Sequence, residues 1–148
     1  RKAAAAYIEK YLEEFSGVKA YMAKIIEYAK AYGYVCTLFG RRRYLPDIYS
    51  ANYTIRSFAE RTALNTPIQG TAADIIKIAM VNVAEKLKTG GYRSKMTLQV
   101  HDELILDCPQ NEIGEVSEML KYEMEHAVSF DVPIIANIAV GRDWYNAK

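Results

Sequence analysis

Cysteine is nearly missing from this chain of 148 residues, and the two present, Cys36 and Cys108, form neither a CxxC pair nor a zinc-ligand spacing. A disulfide scaffold and a zinc module are therefore excluded. Both thiols read as small buried hydrophobes in a reducing compartment. No apolar run approaches the roughly 20 residues that would cross a bilayer, and no secretory signal opens the chain. A phosphate-binding GxxxxGK[ST], a nucleophile elbow GxSxG, a zinc-binding HExxH and a dinucleotide-binding GxGxxG are all lacking. Repeats, low-complexity tracts and long linkers are lacking too. An initiating methionine is replaced by Arg1, so a piece of a longer protein is expected.

What is present is ordinary globular composition, 51% hydrophobic and 25% charged, which excludes a disordered chain. The net charge of +1 conceals an uneven distribution. Residues 1–40 carry 6 basic and 4 acidic side chains, residues 41–95 carry 10 and 4, and residues 96–148 carry 3 and 10. A basic middle suits polyanions; an acidic end suits cations or a solvated face.

The apolar periodicity predicts helices over 3–15 and 18–32, the second stopped by Gly33. A strand at 34–38 and a short one at 43–45 form a small hairpin carrying arginines. Residues 51–64 are helical, with Ile55, Phe58 and Ala59 as the inward set. Residues 68–88 are helical, with a stripe running from Ile68 through Ala79 and Val83 to Leu87. Pro67 either opens a new helix or kinks a continuous one. Strands at 96–100 and 103–108, a helix at 111–128 and a last strand at 132–140 follow. The expected fold class is α+β: one small antiparallel sheet packed against several helices.

Four groups of residues could carry chemistry. His101, Asp102 and Glu103 sit at the tip of an apolar hairpin, where a rigid strand pair would fix a carboxylate as a metal site requires. Aspartate oxygen suits Mg²⁺, which keeps water ligands and takes only one or two protein carboxylates. The bland alternative is an acidic turn in which Asp102 caps its own backbone. Arg61, Asn65 and Gln69 are spaced i, i+4, i+8 and share a face if the helix passes through Pro67. All three are hydrogen-bond donors, matched to the acceptors that every base pair offers in the DNA minor groove. The alternative there is a capping box made by Thr66 and Gln69. Arg41-Arg42-Arg43 could hold phosphates, with Arg41 and Arg43 on one strand face and Arg42 on the other, or could simply be solvated. Gly70-Thr71-Ala72-Ala73-Asp74 offers small residues for close packing.

Taken together, TLFGRRRYLPDI (37–48), ERTALNTPIQGTAADIIKIAM (60–80) and LQVHDELILD (98–107) resemble the C-terminal polymerase region of family A DNA polymerases, as does the ending GRDWYNAK. The likeness spans essentially the whole chain. It implies part of a palm and part of a fingers subdomain, divided near residue 66. Residues 1–66 would carry the fingers helices and the Arg-bearing hairpin, and 67–148 the long helix and the palm with its catalytic hairpin. It implies that Asp102 binds catalytic Mg²⁺, that Glu103 assists beside the metal, and that His101 approaches the primer end. It implies minor-groove contacts from Arg61, Asn65 and Gln69, and template-backbone contacts from the arginine cluster, Arg43 foremost with Arg41. Two Mg²⁺ ions, primer–template DNA and deoxynucleoside triphosphates are the implied cofactors and partners, with a bacterial cytoplasmic location at the nucleoid.

The family's other metal-binding aspartate, in a DYSQIE-like stretch, and its nucleotide-binding helix lie upstream and outside these 148 residues. The thumb is absent as well. The fragment alone is therefore expected not to polymerise DNA. A non-catalytic duplex-binding module and a structural fragment that self-associates through exposed apolar surface are the alternatives.

Overall fold

A computed structural model describes residues 2–147. Helix α1 (Lys2–Glu14) and helix α2 (Ser16–Tyr32) are separated only at Phe15. Gly33 ends α2 as expected, in the left-handed conformation (φ 72°), with its N–H donating to the Ala29 carbonyl at 2.8 Å. Strands β1 (Tyr34–Cys36) and β2 (Arg42–Tyr44) pair antiparallel, and a 3₁₀ turn (Pro46–Tyr49) follows. Helix α3 runs unbroken from Tyr53 to Thr89 with Pro67 inside it. Strands β3 (Lys95–Val100) and β4 (Glu103–Asp107) form a second antiparallel pair, and helix α4 spans Ile113–Glu125.

The fold class is α+β, as expected. The sheet is not single: the strands make two separate two-stranded hairpins. The expected last strand over 132–140 does not form. Pro133 lacks an N–H, and the backbone N–H of Ala136 donates to the Glu125 carboxylate at 3.0 Å instead of to a strand. Val132, Ile135 and Val140 are exposed there. A strand needs a paired neighbour, and no described strand lies alongside this segment.

The chain divides into two compact units, residues 1–71 and 72–148. In the first, Ala29, Val35, Leu45, Ile48, Ala59 and Ala63 form the core, with Ile25 against it. Of the expected inward set, Ala59 is buried, as is Ala63, but Ile55 and Phe58 are exposed. In the second, Val83, Leu87 and Val116 pack with Met96, Leu104 and Leu106 of the hairpin. Ile68, placed on the apolar stripe, is exposed. Thr97 is an extra residue between the pairs Met96–Leu106 and Leu98–Ile105. This bulge breaks the alternation and turns Leu98 outward.

Candidate active-site hairpin and nucleic-acid interface

The β3–β4 connection contains only His101 and Asp102, with Val100 facing Glu103 across the ladder. So short a loop forces a left-handed residue, and His101 takes that role at φ 54°. The Gln99 side-chain amide donates to the His101 carbonyl and braces the turn. Strand pairing below and this brace above leave the tip little freedom. His101, Asp102 and Glu103 are all exposed.

Among the described residues the Asp102 carboxylate has no hydrogen-bond or ion-pair partner. The self-capping turn weighed above is thus not what forms. Glu103 is held differently: the indole N–H of Trp144 donates to its Oε2 at 3.3 Å. Trp144 reaches it because the chain end folds back. Asn146 donates to the Asp143 carboxylate through its backbone N–H (2.9 Å) and its side-chain amide (2.8 Å). A Cβ on Gly141 would lie 2.6 Å from the Asn146 carbonyl carbon, so the return requires glycine. This Trp144 contact escaped the sequence reading. The one available signal is that a tryptophan N–H seeks an acceptor, which does not say which one.

Hard carboxylate oxygens at an exposed, rigid tip fit a Mg²⁺ ion that keeps water and phosphate in its remaining positions. No group of three or more His, Cys, Asp or Glu side chains converges among the described residues. This chain therefore offers Asp102 and Glu103, and further ligands would come from elsewhere.

In the other unit, Pro67 costs α3 one backbone hydrogen bond but does not end it. Thr66 is no cap: its hydroxyl donates to the Thr62 carbonyl at 2.7 Å, inside the helix. The capping-box alternative falls with it. Arg61, Asn65 and Gln69 consequently share a continuous helix and are all exposed. Arg61 donates to Ser57 Oγ at 2.9 Å and lies 5.9 Å from the Phe58 ring centroid, which aims the guanidinium outward. The amides of Asn65 and Gln69 have no partner among the described residues.

The arginine run divides. Arg41 Nη2 donates to the Gly70 carbonyl at 2.9 Å, and the Leu38 N–H donates to Thr71 Oγ1 at 2.9 Å, so this hairpin is tied to α3. Part of the donor capacity of Arg41 is spent on its own chain. Arg43 is exposed, cross-strand from buried Val35. Arg42 projects from the opposite face, as alternation requires.

Residues 1–146 match the model of DNA polymerase family A. The chain belongs to this family. It is 53% identical over its full length to the DNA polymerase I of Streptococcus pneumoniae serotype 4 and 54% identical to that of Bacillus subtilis strain 168. It spans 17% of the length of these family A relatives. The fold matches the POL domain of Pol1 from M. smegmatis, solved in complex with DNA primer-template and dNTP. That match has a TM-score of 0.94 and 44% identity, covering 99% of this chain and 26% of that one. The three sequence blocks behind the family A resemblance fall on the β1–β2 hairpin, on α3 and on the β3–β4 hairpin.

Proposed function

We propose that this chain is a catalytic segment of a DNA-directed DNA polymerase that extends a primer by nucleotidyl transfer, in DNA replication and repair. Residues 1–66 would belong to the fingers and 67–148 to the palm. Its parent would work in the bacterial cytoplasm, at the nucleoid. The observation that carries the reading is the exposed Asp102 carboxylate, without a partner among the described residues, on a two-residue hairpin tip.

The primer 3′-hydroxyl attacks the α-phosphorus of a deoxynucleoside triphosphate, a new P–O bond forms, and pyrophosphate leaves. Mg²⁺, when bound, would supply a lowered hydroxyl pKa and charge neutralisation on the leaving phosphates. Asp102 would hold metal, and Glu103, oriented by Trp144, would assist beside it. His101 lies next to the primer end. Arg61, Asn65 and Gln69 donate to purine N3 and pyrimidine O2, feeling base-pair geometry without reading sequence. Arg43, with Arg41, contacts template phosphates.

Asp102→Ala in the full-length parent is expected to reduce primer extension at least ~10³-fold, because the carboxylate that would hold Mg²⁺ is lost. Primer–template affinity should stay within about twofold, since phosphate contacts dominate binding. Extension at the parental rate would refute the metal role. The exposed donor row also favours a second reading, a duplex-binding module without catalysis. Salt-dependent duplex binding by the chain that needs Arg61 and Gln69, in a parent indifferent to Asp102, would select it.

A further inference from the structure

The face of the first hairpin that carries Arg42 has no part in the mechanism above. Tyr34 pairs with Tyr44, and Cys36 with Arg42, so Tyr34, Tyr44 and Arg42 project together, opposite Arg43. Tyr28 and Tyr32, one turn apart on α2, join them. Ring centroids are 4.6 Å apart for Tyr28–Tyr32, 5.9 Å for Tyr28–Tyr34 and 5.7 Å for Tyr34–Tyr44. The Arg42 guanidinium carbon lies 4.8 Å from the Tyr34 ring centroid. Lys24 is exposed one turn before Tyr28 on α2.

A structural aromatic cluster buries its rings. Here Tyr32 and Tyr44 remain 62% and 68% exposed. Arg42 lies over the Tyr34 ring, and among the described residues no carboxylate pairs with it. Its charge is therefore not neutralised within the patch. Rings with open faces, interleaved with cations, match the two components of unpaired nucleic acid: bases with π-faces and an anionic backbone. Duplex bases are already stacked on each other and cannot use such rings.

We propose that Tyr28, Tyr32, Tyr34, Tyr44, Arg42 and Lys24 form a stacking platform for single-stranded nucleic acid. On the polymerase reading, on which its biological role rests, the occupant is the unpaired template strand. The platform is separate from the face that carries Arg43.

The test uses the full-length parent with two probes, oligothymidylate and a blunt DNA duplex, measured by fluorescence anisotropy. The Tyr32→Ala/Tyr44→Ala variant is expected to bind oligothymidylate about tenfold more weakly or worse, with duplex affinity unchanged. The Tyr32→Phe/Tyr44→Phe variant, which keeps both rings, should bind as the parent does. Arg42→Ala should make oligothymidylate binding less salt-dependent, by about one released ion. Oligothymidylate affinity that is unchanged in the alanine variant overturns the proposal, and means that other segments of the parent cover the patch. An equal loss for both probes also overturns it, as a folding defect. A parent that binds oligothymidylate through these rings but does not bind duplex would refute the polymerase reading and leave the platform standing.

Discussion

Glu112 gathers more donors than any side chain at the hairpin tip. Its carboxylate accepts from the Ser94 hydroxyl (2.7 Å), the Ser94 N–H (3.0 Å) and the Arg93 N–H (3.1 Å), and the Arg93 guanidinium lies 3.5 Å away. It thereby ties the start of β3 to the start of α4. The Ser94 hydroxyl foremost, with the backbone N–H groups, holds its pKa below the ordinary carboxylate value, against the opposing effect of burial. A lowered folded pKa means that the stabilisation is complete above the ordinary carboxylate range and is lost as pH falls through the lowered value. Glu112→Gln should therefore lower the melting temperature at neutral pH and flatten its acid dependence. Thermal melts from about pH 7 down to about pH 3 check this; parallel curves for the two proteins would contradict it. Sequence alone does not single out Glu112, one of ten acidic residues after position 95. Asp102 was legible because a turn between two apolar strands is a recognisable address. A carboxylate whose partners lie 18 and 19 residues away in sequence has none.

Helix α3 shows what spacing can and cannot settle at the level of an element. Sequence left two outcomes at Pro67, a new helix or a continuous one. Proline removes one hydrogen bond whichever outcome holds, and what decides is the packing on each side. Ala59 and Ala63 before it and Ala79 and Val83 after it are buried. Gly70 has a separate reason to be glycine. A Cβ there would meet Thr37 Cγ2 at 2.6 Å, next to the two bonds that tie the hairpin to the helix. Helix propensity argues for alanine at this position by about 1 kcal/mol. Overpacking argues against it by about 1–3 kcal/mol, because a β-branched neighbour cannot swing clear. Gly70→Ala should be net destabilising by about 1 kcal/mol in denaturant unfolding, and a more stable variant would show that the hairpin gives way freely. The segment at 132–140 is the converse case. Its strand pattern is plain in sequence, but pattern specifies a face, and only a neighbouring strand supplies the hydrogen bonds.

For the molecule as a whole, exposed area decides what this length of chain can do alone. It exposes 11121 Å² for 16.8 kDa. A compact monomer of that mass exposes about 7,700 Å², and two separate compact units of half the mass about 9,200 Å² together. Division into two units therefore leaves an excess. Part of it is apolar: Tyr7, Ile8, Val132 and Ile135 are each at least 60% exposed. In relatives about six times as long, further chain is available to cover such residues. Without it, the purified chain should self-associate, giving a sedimentation-equilibrium mass that rises with concentration. A strict monomer at high concentration would show that the exposed residues are tolerated singly. On the proposed function, the same short span bears on catalysis. Asp102 and Glu103 are adjacent on one hairpin, and no third ligand converges on them among the described residues. On the proposed function, metal ions and a triphosphate would need carboxylates from more than one rigid element to hold them. The isolated chain should consequently give no primer extension above a protein-free control, even at high Mg²⁺, and even where it retains salt-sensitive affinity for duplex through its basic residues. Measurable extension by the chain alone would mean that one hairpin suffices to hold both ions, and that the missing ligands are not protein.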